Sequence, residues 1–158
     1  MRAFQLFQRG AIAAAALVVW ICLANSATAQ NTDPTPVTSP FQEDFEYEVG
    51  TDLEPLVEVD GVRWMRFSVR LKSDREYERA KAVPVTVEVD LFNTGESADV
   101  LLIVLFEAEN GTSLDRLELD SIGAGRDRLK EVVQKHKITA SVLADTRRVY
   151  LFFEVSRK

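Results

Sequence analysis

From Phe45 onward the apolar side chains recur mainly at every second position, a period that suits pleated strands with one buried face rather than helices. In "VPVTVEVDLF", Val83, Val85, Val87, Val89 and Leu91 share one face, while Thr86, Glu88 and Asp90 share the other. "FEYEV" sets Phe45, Tyr47 and Val49 against glutamates. "VYLFFEV" points Val149, Leu151, Phe153 and Val155 one way and Tyr150 and Phe152 the other. Such a chain buries its apolar rows by stacking ribbons face to face. The expected fold is therefore an all-β antiparallel sandwich, immunoglobulin-like or jelly-roll-like, with about seven or eight strands.

Turn chemistry places several strands. Asp60-Gly61 stands between "LVEV" and "VRWMRFSVRL", and a D-G pair between apolar runs predicts a tight hairpin because glycine tolerates positive φ. Met65, Phe67, Val69 and Leu71 then share one face, whereas Val62 and Trp64 fall out of phase with them, which predicts a bulge near Trp64. Antiparallel pairing of this strand with "VPVTVEVDLF" satisfies both faces in one register. Arg66 faces Asp90, Ser68 faces Glu88, Arg70 faces Thr86, Phe67 meets Val89 and Val69 meets Val87. Opposite charges across strands contribute about 0.2–1 kcal/mol each, so they specify register more than they stabilise. Between the two strands, Ser73 and Glu76 could cap one helical turn, with a solvated loop as the alternative.

"VLLIVLFEA" is apolar on both faces from Val100 to Phe106, the pattern of a strand buried twice. Asn110-Gly111 marks the turn after it, and "SLDRLELDSI" supplies a partner strand. In "GRDRLKEVVQKHK", Leu129, Val132 and Val133 fall at i, i+3 and i+4, which predicts a short helix over 126–136 packed across the sheet; strand plus loop is the competing reading. A cover of some kind is needed, because Tyr150 and Phe152 would otherwise face water.

The N-terminus constrains the compartment. Arg2 and Arg9 precede an uncharged run, Ala11 to Ala24, that ends in Asn25 and Ser26 and is followed by Ala27-Thr28-Ala29. The run is shorter than the roughly 20 apolar residues that cross about 30 Å of hydrocarbon, and the A-x-A triplet predicts cleavage of a signal peptide, residues 1–29, before Gln30. Trp20 and Ile21 are too bulky to precede a lipidated Cys22. Residues 30–43 hold Pro34, Pro36 and Pro40 among small polar side chains and read as a flexible linker. Residues 44–158 form the expected sandwich domain.

Cleavage removes two arginines, no acids and the only cysteine, leaving 25 acidic against 17 basic residues, a net charge near −8. The mature chain thus holds together in an oxidising compartment by packing alone. Its acidity argues against nucleic acid and anionic membrane surfaces as partners, and after cleavage it carries no membrane-spanning run.

Candidate chemistry is sparse. His136 is the only histidine and sits among lysines, too few ligands for a zinc site. No serine has a nucleophile setting such as G-x-S-x-G. "GAGR" at 123–126 lacks a dinucleotide fingerprint and reads as a turn. Glu107 and Glu109 are a nominal carboxylate pair of the glycosidase kind. Asp90, Asn93, Glu96 and Asp99 bracket one turn and offer oxygens to calcium without an EF-hand spacing. Asn110-Gly111-Thr112 matches the glycosylation sequon but serves equally as a turn. The reading therefore includes no catalytic residues, no cofactor and no metal.

The pattern of short antiparallel strands behind an export signal resembles immunoglobulin-like and fibronectin-like envelope modules, an analogy of architecture that leaves function open. The expected function is a secreted or periplasmic non-catalytic interaction module that docks an unknown protein, or a second copy of itself, through Tyr150 and Phe152. The alternative is a carbohydrate-binding module, with Trp64 and Tyr77 as sugar-stacking rings.

Overall fold

The structure is a computed structural model that describes residues 33–72 and 76–157. The expected signal peptide, its cleavage site and Ser73 lie outside the described residues. The described chain runs β1 (Thr35–Val37), β2 (Phe41–Glu46), β3 (Asp52–Leu53), β4 (Val57–Val59), β5 (Val62–Leu71), β6 (Ala82–Asn93), β7 (Ala98–Glu107), β8 (Ser113–Ala124), β9 (Arg128–Thr139), α1 (Ala140–Asp145) and β10 (Arg148–Arg157). One sheet has the order β1-β4-β5-β6-β9, with β3 also on β5, and the other has the order β2-β10-β7-β8. This is the expected all-β sandwich with one short helix.

The β4–β5 hairpin turns at Asp60 and Gly61, whose φ values of 46° and 77° are those of a primed turn. β5 and β6 pair in the register predicted from their two faces: Arg66 opposite Asp90, Phe67 opposite Val89, Ser68 opposite Glu88, Val69 opposite Val87 and Arg70 opposite Thr86. The register shifts between Trp64 and Arg66. This bulge absorbs Met65, which is 37% exposed, and lets Val62 and Trp64 point inward together with Phe67 and Val69. Met65 and Leu71, grouped with the buried row by strict alternation, are instead exposed.

The predicted helix over 126–136 is a strand. β9 pairs with β6 over its whole length, from Ala82 opposite Thr139 to Asn93 opposite Arg128. Pairing satisfies a long edge of β6 that an isolated three-residue apolar stripe cannot outweigh, and it sends Val132 and Ile138 inward while Leu129 and Val133 emerge 56% and 64% exposed. The helix forms one step later, in "ASVLAD", where it buries Leu143.

Two strands lie inside or begin within the segment expected to be a flexible linker. Thr35–Val37 pairs in parallel with β4, and Phe41–Glu46 pairs antiparallel with β10, so strands begin well before residue 44. Apolar side chains at the right places override the proline content: Phe41 is buried, and Val37 and Phe45 pack against the core. Pro34, Pro36 and Pro40 avoid the centre of a sheet, since β1 and β2 both lie at edges.

The core lies between the sheets. Trp64, Phe67 and Leu91 from one sheet meet Leu102, Phe106, Leu119, Leu151 and Phe153 from the other, all fully buried. Asn93 joins the layers at one end. Its side chain is fully buried, its Nδ2 donates to the carbonyls of Glu96 and Ala124 at 2.8 and 2.9 Å, and its Oδ1 accepts from the Gly95 N–H at 2.9 Å.

A candidate interaction surface

The two outer faces of the sandwich follow different rules. On the first sheet, Arg66 Nε meets Asp90 at 2.7 Å and its Nη1 meets Glu88 at 3.1 Å, while Arg70 meets Asp52 at 2.7 Å. The hydrogen bond that Arg66 donates to the Asp90 carboxylate raises the Arg66 pKa above its ordinary value. This ladder is a face built for water, interrupted on the edge strand β9 by Leu129 and Val133, which stand among lysines.

On the second sheet the central strands are apolar outward as well as inward. β10 turns Tyr150 and Phe152 away from the core, and β7 turns Leu101, Ile103 and Leu105 the same way. The register makes them one block, with Tyr150 opposite Leu105, Phe152 opposite Ile103 and Glu154 opposite Leu101. All are half-buried by their neighbours. β7 is thus fully buried on one face and not on both; neither β9 nor α1 lies over its second face, because both belong with the first sheet.

Polar residues frame the block. On β2, Asp44 stands opposite Tyr150 and Gln42 opposite Phe152, and the Tyr150 hydroxyl donates to Gln42 Oε1. On β8, Arg116 stands opposite Leu105 and Glu118 opposite Ile103, and the two pair with each other. Above the block, Arg148 lies between Glu46 and Glu107, with its Nη2 3.2 Å from Asp44. Its Nε is a buried donor without an acceptor. The arrangement is an apolar centre with a charged rim, the anatomy of a protein-binding patch. Alternation in "VYLFFEV" revealed the β10 half and the two-faced apolar run revealed the β7 half, whereas the rim depends on pairing with β2 and β8.

The other expected site residues fall elsewhere. Trp64 is fully buried, its ring edge-on to Phe67 and Phe153 and its Nε1 donating to the Arg66 carbonyl at 3.1 Å. A ring enclosed on this scale has no face to offer a sugar, which corrects its expected role. Tyr77 packs half-buried against the core and lines a cavity of about 260 Å³ with Val49, Leu71, Val83 and Leu143.

Two of the four nominal calcium ligands are committed to other partners. Asp90 holds Arg66, and Asn93 is saturated by backbone groups. Among the described residues no group of three or more His, Cys, Asp or Glu side chains is placed to hold a metal. His136 Nε2 lies 3.1 Å from Gln134 Oε1 on the edge strand. Glu107 belongs to the outer face and Glu109 to a cleft of about 570 Å³ that it lines with Glu46, Tyr47, Glu48, Thr51, Arg147 and Arg148. The Tyr47 hydroxyl turns from that cleft into the core and accepts the Val69 N–H at 2.8 Å. Burial pushes its pKa up to about 12, against the lowering effect of that bond.

No family model matches the chain, and no curated protein matches it. Among solved structures, the Salmonella enterica trimeric lipoprotein SadB is similar over 67% of this chain and 58% of that one, at 13% identity and a TM-score of 0.34. The similarity thus spans less than two thirds of that protein, at a level that carries no argument about function. Among the described residues no helix is long and apolar enough to cross a membrane.

Proposed function

We propose that the chain is an exported, non-catalytic interaction module of the cell envelope that docks a protein through the outer face of its four-stranded sheet. The observation that carries the reading is the contrast between the two outer faces. The centre of the first sheet carries paired charges, with exposed Leu129 and Val133 only on its edge strand, whereas the second leaves half-buried Leu101, Ile103, Leu105, Tyr150 and Phe152 contiguous on its two central strands. An antiparallel sheet that faces only water ordinarily alternates apolar with polar, and a contiguous apolar patch inside a charged rim is what partner binding requires. Export is supported by the N-terminal charge, apolar run and A-x-A order, and by a mature chain that needs no cysteine. Carbohydrate binding finds no support at the residues that suggested it, since Trp64 is enclosed and Tyr77 packs on the core.

The test is thiol protection in the cells that produce the protein. In a full-length Cys22→Ser background, Phe152→Cys places one thiol on the face and Val133→Cys places one on the opposite sheet. A membrane-impermeant maleimide is expected to label both positions in dilute purified protein, but only position 133 in intact cells. Equal labelling of position 152 in both settings overturns the docking reading.

A further inference from the structure

Resting on that reading, we propose that the occupant of the face is a second copy of this chain, related by a twofold axis that runs parallel to the strands between β10 and β7.

Two identical sheets can pack outer face to outer face only about an axis lying in the plane between them, because the operation must turn one sheet over. Two orientations of that axis respect the strand directions. An axis across the strands would lay β2 on β2 and β8 on β8, stacking the acidic strand "FQEDFE" on its own copy. An axis along the strands lays β2 over β8 and β10 over β7 while keeping each cross-strand row at its own level.

Taken row by row, the second arrangement is self-complementary in three rows, and only the row of Glu154 and Leu101 sets a charge above an apolar side chain. The first row reads Asp44, Tyr150, Leu105, Arg116 across the sheet. Turned over, it sets Asp44 of one copy above Arg116 of the other, twice, with Tyr150 above Leu105 between them. The second row reads Gln42, Phe152, Ile103, Glu118. It sets Phe152 above Ile103 twice and gives the Glu118 carboxylate an amide donor in Gln42. The row above them reads Glu46, Arg148, Glu107 and sets Arg148 above Glu107.

Charges already paired within one chain extend these contacts. Arg148 holds Asp44 and Arg116 holds Glu118, so the dimer links them into a run of alternating sign: Arg148, Asp44, then Arg116 and Glu118 of the copy. The apolar centre supplies attraction, and the rim selects one orientation, as charges at interfaces generally do. The selection is needed because each mature copy carries a net charge near −8 and repels its twin everywhere else.

The experiment is sedimentation equilibrium of the full-length purified chain, with circular dichroism confirming the fold of each variant. The parent is expected to be a reversible dimer. Asp44→Arg and Arg116→Asp each create two like-charge contacts and should raise the dissociation constant about tenfold or more, and the double variant should return it close to the parent value. A parent that stays monomeric, an Asp44→Arg variant that associates more tightly, or a double variant no better than the singles overturns the inference. A monomeric parent whose position 152 is nevertheless protected in cells removes the second copy as occupant and leaves the docking reading standing.

Discussion

Trp64 and Phe153 meet across the sandwich with ring centroids 5.5 Å apart and planes at 66°, an edge-on contact between the two sheets. It exists because the bulge after Trp64 rotates that side chain into the row occupied by Phe67 and Val69. A ring at this junction fills a volume that no neighbour can take over. Trp64→Ala is expected to lower stability by about 3–5 kcal/mol, and Trp64→Phe by less. Denaturant unfolding followed by far-UV circular dichroism measures both, and a change within about 0.5 kcal/mol for Trp64→Ala would be a surface effect incompatible with the enclosed ring.

Tyr47 predicts how stability responds to alkali. Its pKa stands at about 12 in the folded chain against 10.0 ordinarily, so the folded state retains a proton that the unfolded state releases. Folding is therefore favoured in full below pH 10, and this contribution is lost as pH rises from 10.0 toward about 12. A shift of this size corresponds to about 2–3 kcal/mol. Tyr47→Phe should flatten the alkaline loss and, at neutral pH, cost about 1–3 kcal/mol by leaving the Val69 N–H without its acceptor. Urea unfolding of both proteins over the alkaline range compares the two slopes; parallel slopes would place the titration elsewhere.

Asn93 is a structural pin between β6, the following turn and the end of β8. Asn93→Ala strands the Gly95 N–H and the carbonyls of Glu96 and Ala124 at a fully buried site. The expected loss is about 1–3 kcal/mol for each buried polar group left unsatisfied. Asn93→Asp should also destabilise, since a carboxylate accepts where both carbonyls need a donor. Calcium is expected to leave the thermal midpoint of the parent unchanged, and a calcium-dependent rise would return this turn to a ligand role.

The elements legible in the sequence were those with two mutually consistent faces. The β5–β6 register followed from apolar pairs on one side and charged pairs on the other, so a slip of one residue would have broken both. The turn at Asp60-Gly61 followed from one residue's backbone freedom. β9 is a strand despite its helical stripe because only three apolar residues form that stripe, and the advantage of the strand comes from β6, far away in sequence. The strands at Thr35–Val37 and Phe41–Glu46 escape local pattern for a similar reason: Val37 and Phe41 look unremarkable until the core and two sheet edges stand beside them.

The candidate surface divides along the same line. Its apolar centre is written as two stretches apolar on both faces, "VLLIVLF" and "VYLFF", the first of which reads in sequence as a strand buried twice. Its rim is not written locally, because the order β2-β10-β7-β8 brings together segments from both ends and the middle of the chain. Period-two patterning by itself determined that this protein is a stack of strands with one surplus apolar row, since the pleat sends neighbouring side chains to opposite faces whatever the strands pair with. Which rows share a sheet, which face lies uncovered among the described residues, and which charges surround it were decided only by tertiary pairing, because backbone hydrogen bonds between distant strands carry no trace in local composition.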